Sequence, residues 1–300
     1  VPYYLKFIQS YPDLPSLSKA NLDDLFLLWS GLGYYRRIKN IYEASKIIST
    51  KYKNEFPRKF DDILSLPGIG KTTASAISTF SGFSNKAILD GNVKRILRRY
   101  FNISMASNSA IERMLWEKSN YVTPMRYTSE FIQGMMDIGS LVCTRHNPNC
   151  DICPLKQLNC LYNDDSKKII KSKKHVKKIN MYLAVIINSK NKIYLEKIRS
   201  GSLWNNLYSS PLFLSKKESE SWMTDKRLKR FKSDYTSKIN HRVTNKNFEI
   251  MSDFYFLKND KNVSLSTKNW YNLANINVGI PRYLEKILNR YRADNENSNV

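Results

Sequence analysis

The chain has 300 residues, 42% hydrophobic and 12% aromatic, which is enough for two ordinary domains with real cores and excludes a disordered polypeptide. Its 49 basic residues against 26 acidic ones give a net charge of +23, so a polyanion, nucleic acid first, is the implied partner; the bland alternative is a lysine-rich composition. No apolar run reaches the ~18 residues that cross a bilayer and no signal-peptide pattern opens the chain, so the expectation is a soluble, cytoplasmic protein without membrane contact.

The opening VPYYLKFIQSYP reads as the middle of a helix, with Tyr3, Phe7 and Ile8 at helical spacing, and therefore as part of a longer sequence. Leu22, Leu25, Phe26, Leu28 and Trp29 predict a second amphipathic helix ended by Gly31-Leu32-Gly33. Tyr34-Tyr35-Arg36-Arg37 opens a third; two tyrosines there suit core packing or, beside arginines, insertion into a base stack. Phe60 to Leu64 leads into LPGIGK, where Pro67 sets a tight turn and Gly68 and Gly70 can take positive φ and let a phosphate approach. The helix expected over Thr72 to Phe80 would add unpaired N–H groups, making an anion site with Lys71 beside it. A helix-ending glycine turn has a similar string. Asp90, before Gly91-Asn92-Val93-Lys94-Arg95, reads as the N-cap of a helix over 91–100. Further helices are expected over 110–121 and 127–142, the last carrying Gln133, which on the residues alone reads as a solvated or interhelical amide able both to donate and to accept.

All four cysteines fall together, as Cys143-x6-Cys150-x2-Cys153-x6-Cys160. Disulfides conflict with an intracellular protein, and zinc sites usually pair two C-x2-C knuckles; an iron–sulfur cluster held by all four thiolates fits best. Residues 164–178 carry seven lysines and no aromatic residue, a linker composition. The hydrophobic period then changes, with strands expected over Met181–Ile187, Lys192–Ile198 and Phe248–Leu257 and a helix over Tyr283–Arg290. Residues 294–300 read as a disordered polar tail. The fold expectation is an all-α domain over 1–163, the 164–178 linker, and an α+β domain over 179–293.

LPGIGK followed by LDGNVKR resembles the helix-hairpin-helix DNA glycosylases, and WSGLGYYRRIKN resembles their MutY-type adenine DNA glycosylase branch. The resemblance implies that Gly68, Gly70, Lys71 and Lys94 bind DNA, that Tyr34 wedges into the duplex and that Gln133 lines an adenine pocket. Asp90 would be the catalytic carboxylate, with Asn92 and Thr72 orienting the sugar or water. Lyase members carry a lysine at the position of Thr72, and a hydroxyl cannot form an imine, so base removal without strand cleavage is expected. The family carries a [4Fe–4S] cluster on Cys143, Cys150, Cys153 and Cys160, although its usual final gap is one residue shorter. The stretches LW-N-LY-S-P and WYNL…VGIP resemble the family's Nudix-like domain, without the acidic helix that holds metal in Nudix hydrolases. Thr244 and Asn245 match its lesion-reading loop, altered in sequence.

The implied function is excision of adenine opposite 8-oxoguanine or guanine in double-stranded DNA by a monomer, nucleoid-associated if the source is bacterial. The alternatives are an endonuclease III-like bifunctional glycosylase/lyase and a non-catalytic DNA-binding protein. The family's general-acid glutamate is expected upstream of Val1, so residues 1–300 by themselves are expected to bind DNA but to excise poorly.

Overall fold

The computed structural model describes residues 2–103, 108–162, 177–199, 203–243, 246–258 and 263–297. Before Lys177 every regular element among them is helical: α1 (Pro2–Ser10), α2 (Leu14–Ser18), α3 (Leu22–Leu28), α4 (Arg36–Lys51), α5 (Phe60–Leu64), α6 (Lys71–Phe80), α7 (Gly91–Tyr100), α8 (Asn108–Val122) and α9 (Thr128–Asp137). The starts follow local chemistry. Asp13 and Ser16 form a capping box for α2, and the Asn21 side chain accepts from the Asp23 N–H to start α3. Past α9 the coil widens into a π-helical turn, Ile138–Val142, that delivers the chain to Cys143.

After Lys177 the strands are β1 (Lys177–Asn188), β2 (Lys192–Tyr194), β3 (Glu196–Lys197), β4 (Tyr208–Ser209), β5 (Leu212–Phe213), β6 (Tyr235–Val243), β7 (Lys246–Leu257) and β8 (Trp270–Asn272), with α10 (Lys216–Asp225) and α11 (Arg282–Asn297). The main sheet runs β6-β7-β1-β2-β8, with β5 also on β1, and β3 pairs β4 separately. β1 and β7 are parallel from Lys177↔Lys246 to Asn188↔Leu257. A central parallel strand is covered on both faces, which is why β1 is almost continuously apolar. Met181, Leu183, Val185 and Ile187 point into one core with Tyr283 and Leu284, and Ala184 and Ile186 point into another with Met223 and Leu228.

The chain divides into two compact units, Val1–Tyr42 with Ser172–Val300, and Glu43–Lys171. This division departs from the expected all-α domain over 1–163, because Leu25, Phe26, Tyr35 and Ile38 join the same core as β1 and α11. The approach is close enough that a Cβ on Gly279 would lie 2.8 Å from the Phe26 carbonyl oxygen. The Ser30 hydroxyl donates to the Ile280 carbonyl (3.2 Å), and Asp23 takes both Lys197 Nζ (2.5 Å) and the Tyr208 hydroxyl (3.0 Å). Burial and the Asp23 carboxylate together hold the Tyr208 phenol well above its usual range.

One further expectation is corrected. The tail does not begin at Asp294: α11 continues to Asn297, since the Tyr235 hydroxyl donates to the Asp294 carboxylate and Arg292 donates to the Leu273 carbonyl (2.7 Å). The helix expected at the start of the chain is present as α1; none of its residues is buried, but Phe7 packs partly buried against the core and meets the edge of Trp29. Among the described residues no helix is long and apolar enough to cross a membrane. Most of the 164–178 segment lies outside the described residues.

Candidate active site

In the unit of residues 43–171, α5 and α6 are joined by the turn Ser65–Gly70. Gly68 has φ +75, the left-handed conformation glycine tolerates best, whereas Gly70 sits at φ −96 and does not need it. Gly70 serves differently. It is the N-cap of α6 without a capping side chain, and nothing lies within 4 Å of where its Cβ would be. The first N–H groups of α6 therefore have no capping side chain, the condition for receiving a phosphate. Lys71 stands beside them with Nζ 4.1 Å from the ring centre of Trp116, a cation–π contact that steadies the ammonium.

Asp90 caps α7, with Oδ1 accepting from the N–H groups of Asn92 (3.0 Å) and Val93 (2.8 Å). Its second oxygen has no hydrogen-bond partner among the described residues, so capping engages only one of the two carboxylate oxygens. The Thr72 hydroxyl donates to the Leu89 carbonyl (3.1 Å), tying the first turn of α6 to the residue before Asp90. Thr72 is thus engaged in holding the carboxylate's backbone. Lys94 is paired with Glu112 (2.8 Å), and Gln133 Nε2 donates to Asp137 Oδ1 (3.0 Å), which leaves the Gln133 oxygen to accept.

Asn92 is also committed: its Oδ1 accepts from Arg95 Nη2 (2.8 Å). Arg95 further donates to the Gly139 carbonyl and, through Nε, to the Cys143 carbonyl (2.7 Å). One turn on, Arg99 donates to Cys143 Sγ (3.2 Å) and to the carbonyls of Thr144 (2.8 Å) and Arg145 (3.1 Å). The helix capped by Asp90 is therefore laced to the cysteine loop. Sequence reasoning missed both arginines; the available signal was their spacing of four, which puts them on one face of α7.

Cys143, Cys150, Cys153 and Cys160 line one small pocket whose other walls include Ile96, Val142, Pro148 and Leu155. Burial pushes the Cys150 thiol up, and the three other thiols add to the shift. Among the described residues no group of three or more His, Cys, Asp or Glu side chains is arranged to hold a metal ion. A solved structure of a thermostable thymine-DNA glycosylase aligns with a TM-score of 0.48 at 25% identity, covering 54% of this chain and 75% of that one. Residues 1–120 match the HhH-GPD superfamily of base excision DNA repair proteins. The adenine DNA glycosylase of Buchnera aphidicola subsp. Baizongia pistaciae (strain Bp) is 37% identical over 98% of this chain and 85% of its own length. That of subsp. Schizaphis graminum (strain Sg) is 38% identical over 97% of this chain and 86% of its own length.

The chain belongs to the adenine DNA glycosylases. It is a base-excision repair enzyme that hydrolyses the N-glycosyl bond of adenine in DNA. A glycosylase must extract a base from the stack before its glycosidic bond can be reached. In the other unit, Tyr34 has the exposure such a task requires: it is 78% exposed, held at φ +50 after Gly33 at φ +71, with the Arg37 guanidinium 5.4 Å from its ring centre. The core reading of the tyrosine pair holds only for Tyr35, which is buried. Thr244 and Asn245 lie outside the described residues, between the paired ends of β6 and β7 at Val243↔Lys246.

Proposed function

We propose that the enzyme is a monofunctional glycosylase for adenine opposite 8-oxoguanine or guanine, with Asp90 as its catalytic carboxylate. The observation that carries this reading is the divided carboxylate of Asp90, one oxygen held by two backbone N–H groups and the other without a partner among the described residues. As the glycosidic bond breaks, its electron pair leaves with adenine, which takes up a proton, and the sugar becomes cationic; a fixed carboxylate beside it stabilises that charge until water adds at the same carbon and gives up a proton. Thr72 and Asn92 act by holding the Asp90 turn, through Leu89 and Arg95 respectively. With Asp137 taking one amide hydrogen, Gln133 presents its oxygen to the adenine amino group. Gly68, Gly70 and Lys71 receive a phosphate, Lys94 adds positive charge, and Tyr34 is the wedge. Because a hydroxyl stands at position 72, no imine forms there and strand cleavage requires added alkali.

The cysteines fit a [4Fe–4S] cluster by their chemistry: four thiols line a pocket with apolar walls, and an arginine donates to one sulfur. Cys143, Cys150, Cys153 and Cys160 would hold it; when bound, it supplies a cross-link and a local charge for the loop.

Excision belongs to residues 1–163 and lesion recognition to a Nudix-like domain over 179–293, the 164–178 segment joining them. Thr244 and Asn245 contact 8-oxoguanine. Replacing both with Ala should narrow the preference for 8-oxoguanine:A over G:A, each loss being worth ~0.5–1.5 kcal/mol; equal loss on both mispairs would assign the loop to the backbone instead. The test of the whole reading is single-turnover excision by the full-length enzyme on 8-oxoguanine:A, G:A and T:A duplexes with and without alkali. Adenine release without nicking, on the first two only, is expected. Efficient nicking without alkali would overturn the monofunctional assignment.

A further inference from the structure

The turn between α10 and β6 reads Lys226-Arg227-Leu228-Lys229-Arg230-Phe231-Lys232, five cations in seven residues with no carboxylate among them. It is a built turn. The Leu228 N–H donates to the Met223 carbonyl (2.7 Å), Phe231 N–H to Leu228 (2.9 Å), and Ser264 N–H to the Lys226 carbonyl (3.0 Å). Leu228 is fully buried against Met223, Ala184 and Ile186, so the backbone is anchored while Arg227, Lys229, Arg230 and Lys232 stand exposed. Arg227 is held at φ +60, a left-handed conformation that arginine seldom adopts. Two cations are steadied against aromatic rings, Arg230 at 5.1 Å from the centre of Phe231 and Lys226 at 6.0 Å from that of Trp222.

None of the five has an ion-pair partner among the described residues, although other surface cations, such as Lys94, Lys156 and Lys238, do. An anchored group of like charges repels itself, and a polyanion relieves that repulsion by releasing its own counterions. We propose that this turn is a second DNA-phosphate contact of the enzyme, outside the lesion site. Its place on the strand predicts where. β6 runs from Tyr235 next to the turn to Val243 next to Thr244 and Asn245, nine residues in all. At ~3.4 Å per residue that is about 27 Å, or about eight base pairs of duplex. The distance, but not the charge argument, rests on assigning Thr244 and Asn245 to the lesion.

The test compares the wild type with the triple variant Lys229→Ser/Arg230→Ser/Lys232→Ser on two mispaired duplexes, one of roughly 30 base pairs and one of roughly 12, too short to reach the turn at ~3.4 Å per base pair. On the long duplex the slope of log affinity against log salt should fall by about 2–3, at ~0.9 per phosphate contact, and low-salt affinity should weaken about tenfold. Binding to the short duplex and the single-turnover excision rate at saturation should not change. Lys229→Arg/Lys232→Arg should keep the wild-type slope. A control, Lys190→Ser/Lys216→Ser/Lys217→Ser, removes equal charge from exposed positions of the same unit. An equal fall in the control, an unchanged slope in the first variant, or a loss confined to polyglutamate binding would overturn the proposal. If Thr244→Ala/Asn245→Ala leaves mispair discrimination intact, the lesion assignment fails while the salt slope still decides the turn.

Discussion

Asp90 caps α7, and that role can be separated from the catalytic one proposed for the same carboxylate. Asn caps helices about as well as Asp, so Asp90→Asn should leave the thermal midpoint nearly unchanged while lowering single-turnover excision by about 10²–10³, the usual effect of removing one transition-state charge partner. Asp90→Ala should lose the same activity and also about 1 kcal/mol of stability as the α7 cap disappears. An Asn variant with near-wild-type rates would leave Asp90 only its cap. His241 offers a second residue-scale test. It is buried beside Trp204 and Tyr283, and burial first, then Lys286 and Arg282, push its pKa below the ordinary value. A depressed histidine favours the fold when neutral. Its contribution is present above the unfolded-state value of ~6.5 and is lost as pH falls below that, because the unfolded chain then binds the proton first. Denaturant midpoints should drop between pH 7 and 5.5 in the wild type, and drop less in His241→Gln.

At the scale of elements, the start of α7 is held by a contact that allows no side chain. A Cβ on Gly139 would fall 2.5 Å from the Asn92 Cβ, so Gly139→Ala must separate the π-helical turn from α7. A cost of ~1–3 kcal/mol is expected. Excision should fall with it, since the Asp90 turn shifts; an Ala variant with normal melting and rate would show that the contact relaxes freely. The helices α5, α6 and α7 were legible in sequence nearly to the residue, because LPGIG and Asp90 punctuate them locally. β6 and α10 were not. Along β6 the buried positions Ser237 and His241 are polar, so its half-buried face has no apolar alternation to read. α10 buries only Met223 and is otherwise dominated by charged and hydroxyl residues.

For the whole molecule, the shared core of residues 1–42 with the C-terminal sheet makes a prediction about truncation. Residues 172–300 expressed alone would expose the apolar surface that Leu25, Phe26, Tyr35 and Ile38 cover, and the Gly279 approach to Phe26 would be lost. That fragment should lack a cooperative thermal transition and bind a hydrophobic dye, as loosely packed states do. A sharp transition with native-like side-chain dispersion by NMR would show that the C-terminal segment folds without the first helices. The same core explains why a boundary placed by composition at 163 differs from the one made by packing, which falls within α4.

The sequence by itself determined the features whose causes are local: the glycine turn before a helix, the capping aspartate, the cysteine spacing, and the change of period from helix to strand. Each depends on residues within a turn or two, where φ, capping and side-chain alternation are set by immediate neighbours. Only the tertiary structure decided that Gly70 is an open cap and not a left-handed residue, that the Thr72 hydroxyl donates to the Leu89 carbonyl and the Asn92 oxygen accepts from Arg95, and that Arg95 joins α7 to Cys143 across 48 positions. It also decided that the first 42 residues complete the core of the last 129. Those outcomes rest on which surfaces meet, and a meeting of surfaces distant in sequence leaves no period or spacing to read.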